Sequence, residues 1–350
     1  MRAIQLTGIR QARIAEAALP RIEGSHDVLL RMAAVGVCGS DVHYYTSGRI
    51  GSQVVKYPFT VGHEGAATVE EVGGAVTRVR PGDHVAIEPA MSCHRCDQCL
   101  AGRPHTCRNL RFLGCPGQAE GCLSDHIVMP EDCCYPVPAG MTLEEAALAE
   151  PLSIGVYAVK QAGRMAKARI GILGAGPIGL SVMLVAKAQG AATVYVSDPL
   201  EYRGELARRH GADWAGNPDK GDIVQEITGA EPLLLDAVFE CCGRQEAFDQ
   251  AVQLLKPGGK LMVIGIPAFD DYRFAADLAR RKELCFQHVR RQNHCLQQAI
   301  DLIADGNIKP QFMVTHRFPF ALAQEAFDLV DTYSDGVVKA MIEYDYARHQ

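Results

Sequence analysis

The fold of this chain is decided by one stretch, Arg169-Ile170-Gly171-Ile172-Leu173-Gly174-Ala175-Gly176-Pro177-Ile178-Gly179. Residues 169–173 have the apolar composition of a buried strand. The glycines that follow form a G-x-G-x-x-G motif, which opens an apolar helix over 180–189. A second strand over 193–197 leads to Asp198. A strand, a glycine-rich turn, a helix and an acidic residue after the next strand are typical of a dinucleotide-binding domain.

Each glycine of the motif has a physical task in that kind of domain. Gly174 permits the tight turn, Gly176 lets the backbone approach a pyrophosphate, and Gly179 lets the helix pack closely on the strand. The pyrophosphate would lie at the positive end of the helix that starts near Pro177, where proline suits the first turn. A glycine-rich turn without a ligand is the alternative, and the strand–helix–strand context disfavours it.

Asp198 indicates which dinucleotide binds. It lies 19 residues after Gly179, and a carboxylate at that place can accept hydrogen bonds from both ribose hydroxyls of NAD. It would repel the 2′-phosphate of NADP, so NAD is the predicted cofactor. Arg203 is the feature that favours the alternative, because a guanidinium attracts a phosphate.

The alternation of strands and helices continues to about residue 284. Further strands are predicted over 236–240 and 260–265, with helices around 202–210 and 246–255. Such alternation predicts a parallel α/β sheet.

The rest of the chain predicts a second, discontinuous domain. Before residue 150, short strands such as 28–32 and 65–73 alternate with glycine and proline, which suggests a barrel-like β domain. After residue 285 the predicted elements are a helix over 293–305, an extended segment over 312–319, a helix over 321–331 and a strand over 337–344. We expect them to rejoin the first domain. The predicted domains are thus 1–150 with 285–350, and 151–284.

Four cysteines with the spacing C-x2-C-x2-C-x7-C stand close together: Cys93, Cys96, Cys99 and Cys107. Four thiolates on one loop form a closed tetrahedral zinc site, which is structural because no position is left for chemistry. The chain has 13 cysteines, an odd number, and its N-terminus lacks the apolar run of a signal peptide. A reducing, cytoplasmic compartment is therefore expected, where this spacing favours a metal over disulfides. An iron–sulfur cluster is the alternative.

Composition excludes some classes of partner. The formal net charge is −6, and 48% of the residues are hydrophobic and 22% charged, the balance of a soluble globular protein. The sequence has no basic run and no apolar stretch long enough for a bilayer, so nucleic-acid and membrane partners are not expected. Its 350 residues exceed one ordinary core and favour two domains.

A second metal site is suggested by scattered residues. A zinc ion that takes part in chemistry keeps one position open for water or substrate. The candidate ligands are Cys38, His63, Glu64 and Glu150. By spacing alone they are not convincing, because a single cysteine is more often a small core residue.

Taken in order, the motifs resemble the zinc-dependent medium-chain dehydrogenases. The set consists of C-G-S-D at 38–41, G-H-E at 62–64, the four-cysteine loop, E-P-L-S at 150–153 and G-A-G-P-I-G at 174–179. Residues 38–44 and 314–319 are similar to the polyol dehydrogenases of the sorbitol dehydrogenase type. The resemblance covers essentially the whole chain. It implies a GroES-like β-rich catalytic domain together with a Rossmann domain, a doubly wound parallel sheet that binds NAD.

The resemblance also implies a catalytic zinc in addition to the structural one. Its ligands would be Cys38, His63 and Glu64, with Glu150 binding the metal directly or holding its water. Liver-type alcohol dehydrogenases have a second cysteine where this sequence has Glu150. A more oxygen-rich site suits a polyhydroxylated substrate that chelates through two oxygens.

Further roles follow from the same resemblance. Ser40 would take the first proton and the nicotinamide ribose would pass it to His43, while Asp41 orients His63. The alternatives are that Ser40 caps a helix and that His43 is an ordinary exposed histidine. The predicted substrate contacts are Tyr44, Glu150, Arg290 and Arg291. The predicted cofactor contacts are Gly174, Gly176, Ile178, Gly179, Asp198, Arg203, Ile264, Gly265, Ile266, Val289 and Arg290.

The sequence departs from the family pattern in two places. Ala67 stands where the G-H-E motif usually has a glycine three residues after the glutamate, which puts the local backbone in question. Arg291 stands where the sorbitol enzymes carry a tyrosine, so the pocket is more cationic and the identity of the polyol is open.

The predicted activity is transfer of a hydride from a secondary hydroxyl of a polyol, such as sorbitol, xylitol or galactitol, to NAD, which gives a ketose. A threonine 3-dehydrogenase-like or simple alcohol dehydrogenase activity would use the same scaffold. An NAD-binding structural or regulatory protein is the non-enzymatic alternative, and the intact ligand set argues against it. The resemblance implies a homo-oligomer, either a dimer or a tetramer.

Overall fold

The computed structural model describes residues 1–345. Its strands are β1 (Arg2–Gly8), β2 (Gln11–Glu16), β3 (Asp27–Gly36), β4 (Arg49–Ile50), β5 (Gln53–Val54), β6 (Phe59–Thr60), β7 (Glu64–Val72), β8 (His84–Ile87), β9 (Ala90–Met91), β10 (Arg111–Phe112), β11 (His126–Pro130), β12 (Cys134–Pro136), β13 (Arg169–Leu173), β14 (Thr193–Ser197), β15 (Trp214–Gly216), β16 (Leu235–Glu240), β17 (Leu255–Val263), β18 (Cys285–His288), β19 (Val314–Pro319) and β20 (Lys339–Glu343).

The α-helices are α1 (Gly39–Ser47), α2 (Asp97–Leu100), α3 (Leu143–Ala162), α4 (Pro177–Ala188), α5 (Glu201–Arg209), α6 (Ile223–Ala230), α7 (Gln245–Leu254), α8 (Ala276–Arg281), α9 (Leu296–Ala304) and α10 (Ala323–Thr332). Within the described range, no helix combines the length and the apolar character that a membrane crossing requires.

The chain divides into two compact units. One comprises Met1–Glu150 and the described residues from Leu296 onward, and the other comprises Pro151–Cys295. The prediction placed the return to the first unit at residue 285, and this is wrong. Strand β18 pairs in parallel with β17, so it completes the sheet of the second unit before the chain returns at Leu296.

The first unit is built on a mainly antiparallel sheet with the order β12-β8-β7-β3-β20-β19. The long strand β3 organises it, because its first half pairs with β11 and its last residues pair with β20. Its other edge pairs with β7 along almost its whole length. Ala67 lies on β7, is fully buried, and pairs with Met32 and Val85. Ala67 is thus a strand residue, and the pairing of β3 with β7 is irregular beside it, between Met32 and Ala34.

The second unit is a six-stranded parallel sheet with the order β15-β14-β13-β16-β17-β18. Numbered within the unit, this is the order 3-2-1-4-5-6 of a doubly wound dinucleotide-binding fold. The strand order reverses between β13 and β16, and ligands of such sheets bind at the carboxyl ends of the strands at that point. The predicted combination of a β-rich domain and a doubly wound parallel sheet is confirmed.

Several predicted boundaries shift in the structure. Helix α4 begins at Pro177, as expected from the proline at the first helical position, and ends at Ala188, one residue before the predicted end. The helix predicted over 293–305 is confined to α9, and the segment predicted as extended from residue 312 begins with a short 3₁₀ helix, Pro310–Met313. The last strand begins at Lys339, two residues later than predicted.

Candidate metal and nucleotide sites

The pairing of β3 with β7 brings three candidate ligands together. Gly36, the last residue of β3, is paired with Glu64, the first residue of β7. Cys38 lies two residues after the end of β3 and His63 immediately precedes β7, so both lie at this end of the strand pair. One ligand atom from each of Cys38, His63 and Glu64 lies within 4.8 Å of the others. His63 and Glu64 are buried, with exposed fractions of 7% and 2%.

This donor set fits a zinc ion that takes part in chemistry. Zinc binds cysteine sulfur at about 2.3 Å and histidine nitrogen or carboxylate oxygen at about 2.0–2.2 Å, so one ion can reach all three atoms. Three protein ligands leave a fourth tetrahedral position for water or substrate.

Asp41 supports His63 from behind. Its carboxylate is fully buried, and one oxygen, Oδ1, lies 3.3 Å from His63 Nδ1. The backbone N–H groups of Gly62 and Cys38 donate to the same carboxylate, each at 3.2 Å. Burial alone would lower the pKa of His63, but Asp41 and Cys38 outweigh it and the pKa lies well above its usual value. Asp41 thus holds Nδ1 and leaves Nε2 as the nitrogen that a metal would bind.

Glu150 lies outside the group of three ligands whose atoms converge within 4.8 Å. It is buried in α3, with 7% of its surface exposed. Its negative charge contributes to raising the pKa of Lys339, so the two side chains share one electrostatic environment.

The predicted relay and pocket residues lie on α1, which follows Cys38. Cys38 is the N-cap of this helix, so Ser40 does not cap it, and that alternative is wrong. His43 is half-buried, and burial lowers its pKa. Tyr44 is 4% exposed; its hydroxyl donates to Gln53 Oε1 at 3.2 Å.

Lys339 is a component that the sequence patterns missed. It is 2% exposed on β20, and its ammonium group lies 2.5 Å from Glu64 Oε2. A lysine within the otherwise apolar run Val337–Ile342 is the signal that could have revealed it, because an unpaired charge is rarely buried.

The four-cysteine loop forms a second, closed donor set. The sulfur atoms of Cys93, Cys96, Cys99 and Cys107 all lie within 4.8 Å of one another, and the Cys96 sulfur is 3.6 Å from that of Cys99. All 13 cysteines of the chain are free thiols. A hydrogen bond from the Arg95 backbone lowers the pKa of Cys93 to about 5, which favours the thiolate that metal binding needs. Four sulfur donors match a structural zinc site.

A clamp of side chains closes that loop. Arg108 donates from Nε and Nη2 to the two carboxylate oxygens of Asp97, at 2.5 and 2.8 Å. This bidentate pair links α2 to the residue that follows Cys107.

The glycine-rich turn of the second unit has the expected geometry. Gly174 has a φ of +104°, a conformation that L side chains rarely adopt, and a side chain on Gly179 would overlap the Gly174 carbonyl oxygen. Gly176 is the N-cap of α4, and Pro177 is its first residue. Ile178 is half-buried in the first turn. The free N–H groups at this helix start form a site suited to a pyrophosphate.

Asp198 is engaged more closely with the protein than the motif predicts. It is 5% exposed; Oδ2 accepts a hydrogen bond from the Ala175 N–H at 2.8 Å and Oδ1 one from the Leu200 N–H at 2.9 Å. The carboxylate therefore also ties the end of β14 to the glycine-rich turn. The Arg203 guanidinium lies 4.0 Å from Asp198 Oδ2, so Asp198 also faces a positive charge.

The remaining predicted cofactor contacts follow neighbouring strands of the parallel sheet. Ile264, Gly265 and Ile266 follow β17, while Val289 and Arg290 follow β18. The Val289 N–H donates to the Val263 carbonyl at 2.8 Å, which holds the two strand ends side by side. Arg290 is exposed, and Arg291 is half-buried.

Glu240 is a second residue that the sequence patterns missed. It ends β16 and is fully buried, and Oε1 accepts the N–H groups of Cys242 and Gly243 at 2.8 and 2.5 Å. Cys242 in turn packs against Gly174. Glu240 thus shapes the turn that borders the glycine motif at the point where the strand order reverses.

Comparisons with known proteins identify the family of the chain. The family described as alcohol dehydrogenase GroES-like domain matches residues 24–139, and the family described as zinc-binding dehydrogenase matches residues 177–305. A sorbitol dehydrogenase from Bacillus subtilis (strain 168) is 33% identical over 98% of this chain and 97% of its own length. An L-idonate 5-dehydrogenase from Vitis vinifera is 34% identical over 92% of this chain and 89% of its own length.

A solved structure extends the likeness to the fold of the whole chain. It is a zinc-binding dehydrogenase from Sinorhizobium meliloti 1021 bound to NADP. It superposes with a TM-score of 0.89 at 29% identity and covers 98% of both chains.

Proposed function

This chain belongs to the zinc-dependent medium-chain dehydrogenase family and is an oxidoreductase, and from that premise we propose that it oxidises a secondary hydroxyl of a polyol to a ketone with NAD. The alcohol loses a hydride to the nicotinamide ring and a proton to the protein, so the products are a ketose, NADH and a proton. The observation that carries the proposal is the convergence of half-buried Cys38 with buried His63 and Glu64, three ligands that would leave a zinc ion one open coordination position.

The ligand chemistry supports this reaction class. Cys38, His63 and Glu64 would hold a zinc ion, which would serve as a Lewis acid that lowers the pKa of a bound hydroxyl. Asp41 keeps the His63 ring in one orientation through Nδ1. Glu150 adds a carboxylate beside the site, as direct ligand or holder of a water, and with Tyr44 it would orient the other hydroxyls of the substrate.

Proton removal is assigned to α1. Ser40 would accept the proton of the substrate hydroxyl, and His43 would be the next acceptor on this helix and would release the proton to water. Burial lowers the pKa of His43, which keeps the imidazole neutral and able to accept a proton at neutral pH.

NAD is the proposed cofactor because of Asp198. The carboxylate would accept the ribose hydroxyls and repel a 2′-phosphate. Arg203, at 4.0 Å from Asp198, favours the NADP alternative, and a relative of this chain is known bound to NADP. Steady-state assays with NAD and with NADP would distinguish these two cofactor assignments.

The names of the relatives support a polyol or a related sugar acid as substrate. Sorbitol dehydrogenase is named for a polyol and L-idonate 5-dehydrogenase for a sugar acid. Arg290 and Arg291 are proposed as substrate contacts and would suit such an acid. We further propose that the protein is a cytoplasmic homo-oligomer, which its free thiols support for the compartment.

The test is NAD reduction against sorbitol, xylitol, galactitol, L-idonate, threonine and a primary alcohol, with the zinc content measured on the same sample. We expect turnover with a polyol or sugar acid and little with threonine or the primary alcohol. Replacing Glu150 with alanine should lower both turnover and zinc retention. Preference for threonine, or full activity of zinc-loaded Glu150→Ala, would contradict the assignment.

A further inference from the structure

A buried ammonium group lies against one of the proposed metal ligands. Lys339 is 2% exposed, and its Nζ donates to Glu64 Oε2 at 2.5 Å and to the Val37 carbonyl at 3.3 Å. Its strand, β20, is held in place by pairing with the end of β3, where Met341 is opposite Gly36. The ammonium group is therefore fixed by the same strand that leads to Cys38.

The fold reserves the space in which this pair forms. A Cβ atom at Gly36 would overlap Glu64 Oε2, so the carboxylate keeps its present position because residue 36 has no side chain. Because Oε2 is committed to Lys339, Glu64 offers a metal one oxygen rather than two. Its ligation is thus restricted to a single oxygen.

Lys339 also changes the charge of the site. With their protons lost, Cys38 and Glu64 carry two negative charges, and His63 as a neutral ligand carries none. Glu150 adds a third negative charge nearby. The Lys339 ammonium opposes them, and it repels a divalent cation that shares the Glu64 carboxylate with it.

We propose that Lys339 is a positioning residue of the metal site. It holds Glu64 as a one-oxygen ligand and lowers the affinity of the site for the metal. This inference rests on the proposed metal site at Cys38, His63 and Glu64. A cation that is less completely neutralised by its ligands polarises a bound hydroxyl more strongly. Lys339 would therefore lower the metal affinity and increase kcat.

Linkage gives the sign of the effect. Removing the ammonium leaves Glu64 as an unpaired buried charge in the metal-free protein, which is a strongly unfavourable state. The free-energy cost of removing the ammonium group is smaller in the metal-loaded protein, since the metal itself neutralises Glu64. Loss of Lys339 should therefore raise metal affinity, whereas a lysine with a merely structural role would lower or preserve it.

The experiment is a titration of the metal-free full chain with Co²⁺, followed by the ligand-field absorption, and with Zn²⁺ against a competing chelator. Cys38→Ser identifies the absorption bands that belong to this site rather than to the four-cysteine loop. The test variants are Lys339→Met and, as a polar neutral replacement that is less disruptive to folding, Lys339→Gln. The matched control is Arg317→Met on the adjacent strand β19, which breaks an ion pair with Glu144 of α3.

We expect both Lys339 variants to bind the metal about tenfold more tightly or better, as expected for removal of a nearby like charge. Their kcat with the polyol should fall while the KM for NAD stays unchanged. Arg317→Met should leave metal affinity unchanged. In a Glu64→Gln background the Lys339 effect should become smaller, because the ion pair is gone while the repulsion between the ammonium group and the metal remains. Unchanged or weaker metal binding in a folded Lys339→Gln protein would overturn the inference.

The titration also separates this inference from the proposed function. If the wild-type chain shows no Co²⁺ bands that depend on Cys38, the proposed metal site is wrong and the inference falls with it. If those bands and turnover are present but the Lys339 variants bind metal as the wild type does, the inference alone is overturned.

Discussion

Replacing Asp198 with asparagine separates the two tasks that the structure gives this carboxylate. The wild-type carboxylate accepts hydrogen bonds from the backbone N–H groups of Ala175 and Leu200 at 2.8 and 2.9 Å. It is also proposed to accept hydrogen bonds from the ribose hydroxyls of NAD. Asparagine keeps one acceptor oxygen and removes the charge. At least one charge-assisted hydrogen bond is lost within the protein, which should lower the free energy of unfolding by about 1.5–3 kcal/mol.

The loss of binding affinity should be larger for NADH than for NADPH. Loss of a charge-assisted hydrogen bond to the ribose costs about 1.5–3 kcal/mol, which corresponds to about 10- to 150-fold weaker NADH binding. NADPH loses less, because the repulsion of its 2′-phosphate disappears with the charge and Arg203 remains. The preference for NADH over NADPH should therefore narrow or reverse.

The assay is a fluorescence titration of both reduced cofactors, with denaturant unfolding of the same samples. The matched control is Asp222→Asn, because Asp222 also accepts two backbone N–H groups, those of Val224 and Gln225, each at 3.0 Å, as the cap of α6. The control should lose stability and keep both affinities. Equal weakening of NADH and NADPH by Asp198→Asn, or a wild type that prefers NADPH, would refute the reasoning.

Two further predictions concern the cysteine loop and the histidine of α1. Cys107→Ser should lose one zinc per chain and unfold at a lower temperature, because metal binding contributes directly to folding; retention of both zinc ions and an unchanged melting temperature would contradict the structural site. Burial lowers the pKa of His43, so the unfolded chain takes up this proton first as the pH falls through about 6.5, and stability present above that pH is then lost. His43→Gln should flatten this acid loss in pH-dependent melting curves and reduce kcat, and an unaltered curve would show that His43 is not responsible.

Features that depend on neighbouring residues could be predicted from the sequence. The glycine motif, its helix and Asp198 lie within 30 residues, and the four sulfur donors lie on one loop, so spacing alone defined both arrangements. The parallel sheet followed from the alternation of strands and helices.

Features that depend on pairing between distant strands could not be predicted from the sequence. The ligand group needs the register of β3 and β7, and the sequence motifs suggested it only through a family resemblance. Lys339 is 275 residues from Glu64, and local patterns contain no information about that contact. The return to the first unit was placed too early, because β18 is a short edge strand whose membership in the sheet depends on its pairing with β17.

Asp198 shows how one local prediction was incomplete. The motif identified the residue, but its burial and its two backbone partners depend on how β14 meets the glycine-rich turn. A residue predicted to contact a ligand thus also holds the protein together.

The central claim is that hydride transfer depends on a metal held by Cys38, His63 and Glu64 and not on the cysteine loop. The most direct test compares polyol-dependent NADH formation and zinc content in the wild type and in Cys38→Ser. We predict two zinc ions per chain and turnover in the wild type, and one zinc ion with an intact fold and no measurable turnover in Cys38→Ser. Wild-type turnover in a Cys38→Ser protein that holds a single zinc ion would contradict the claim.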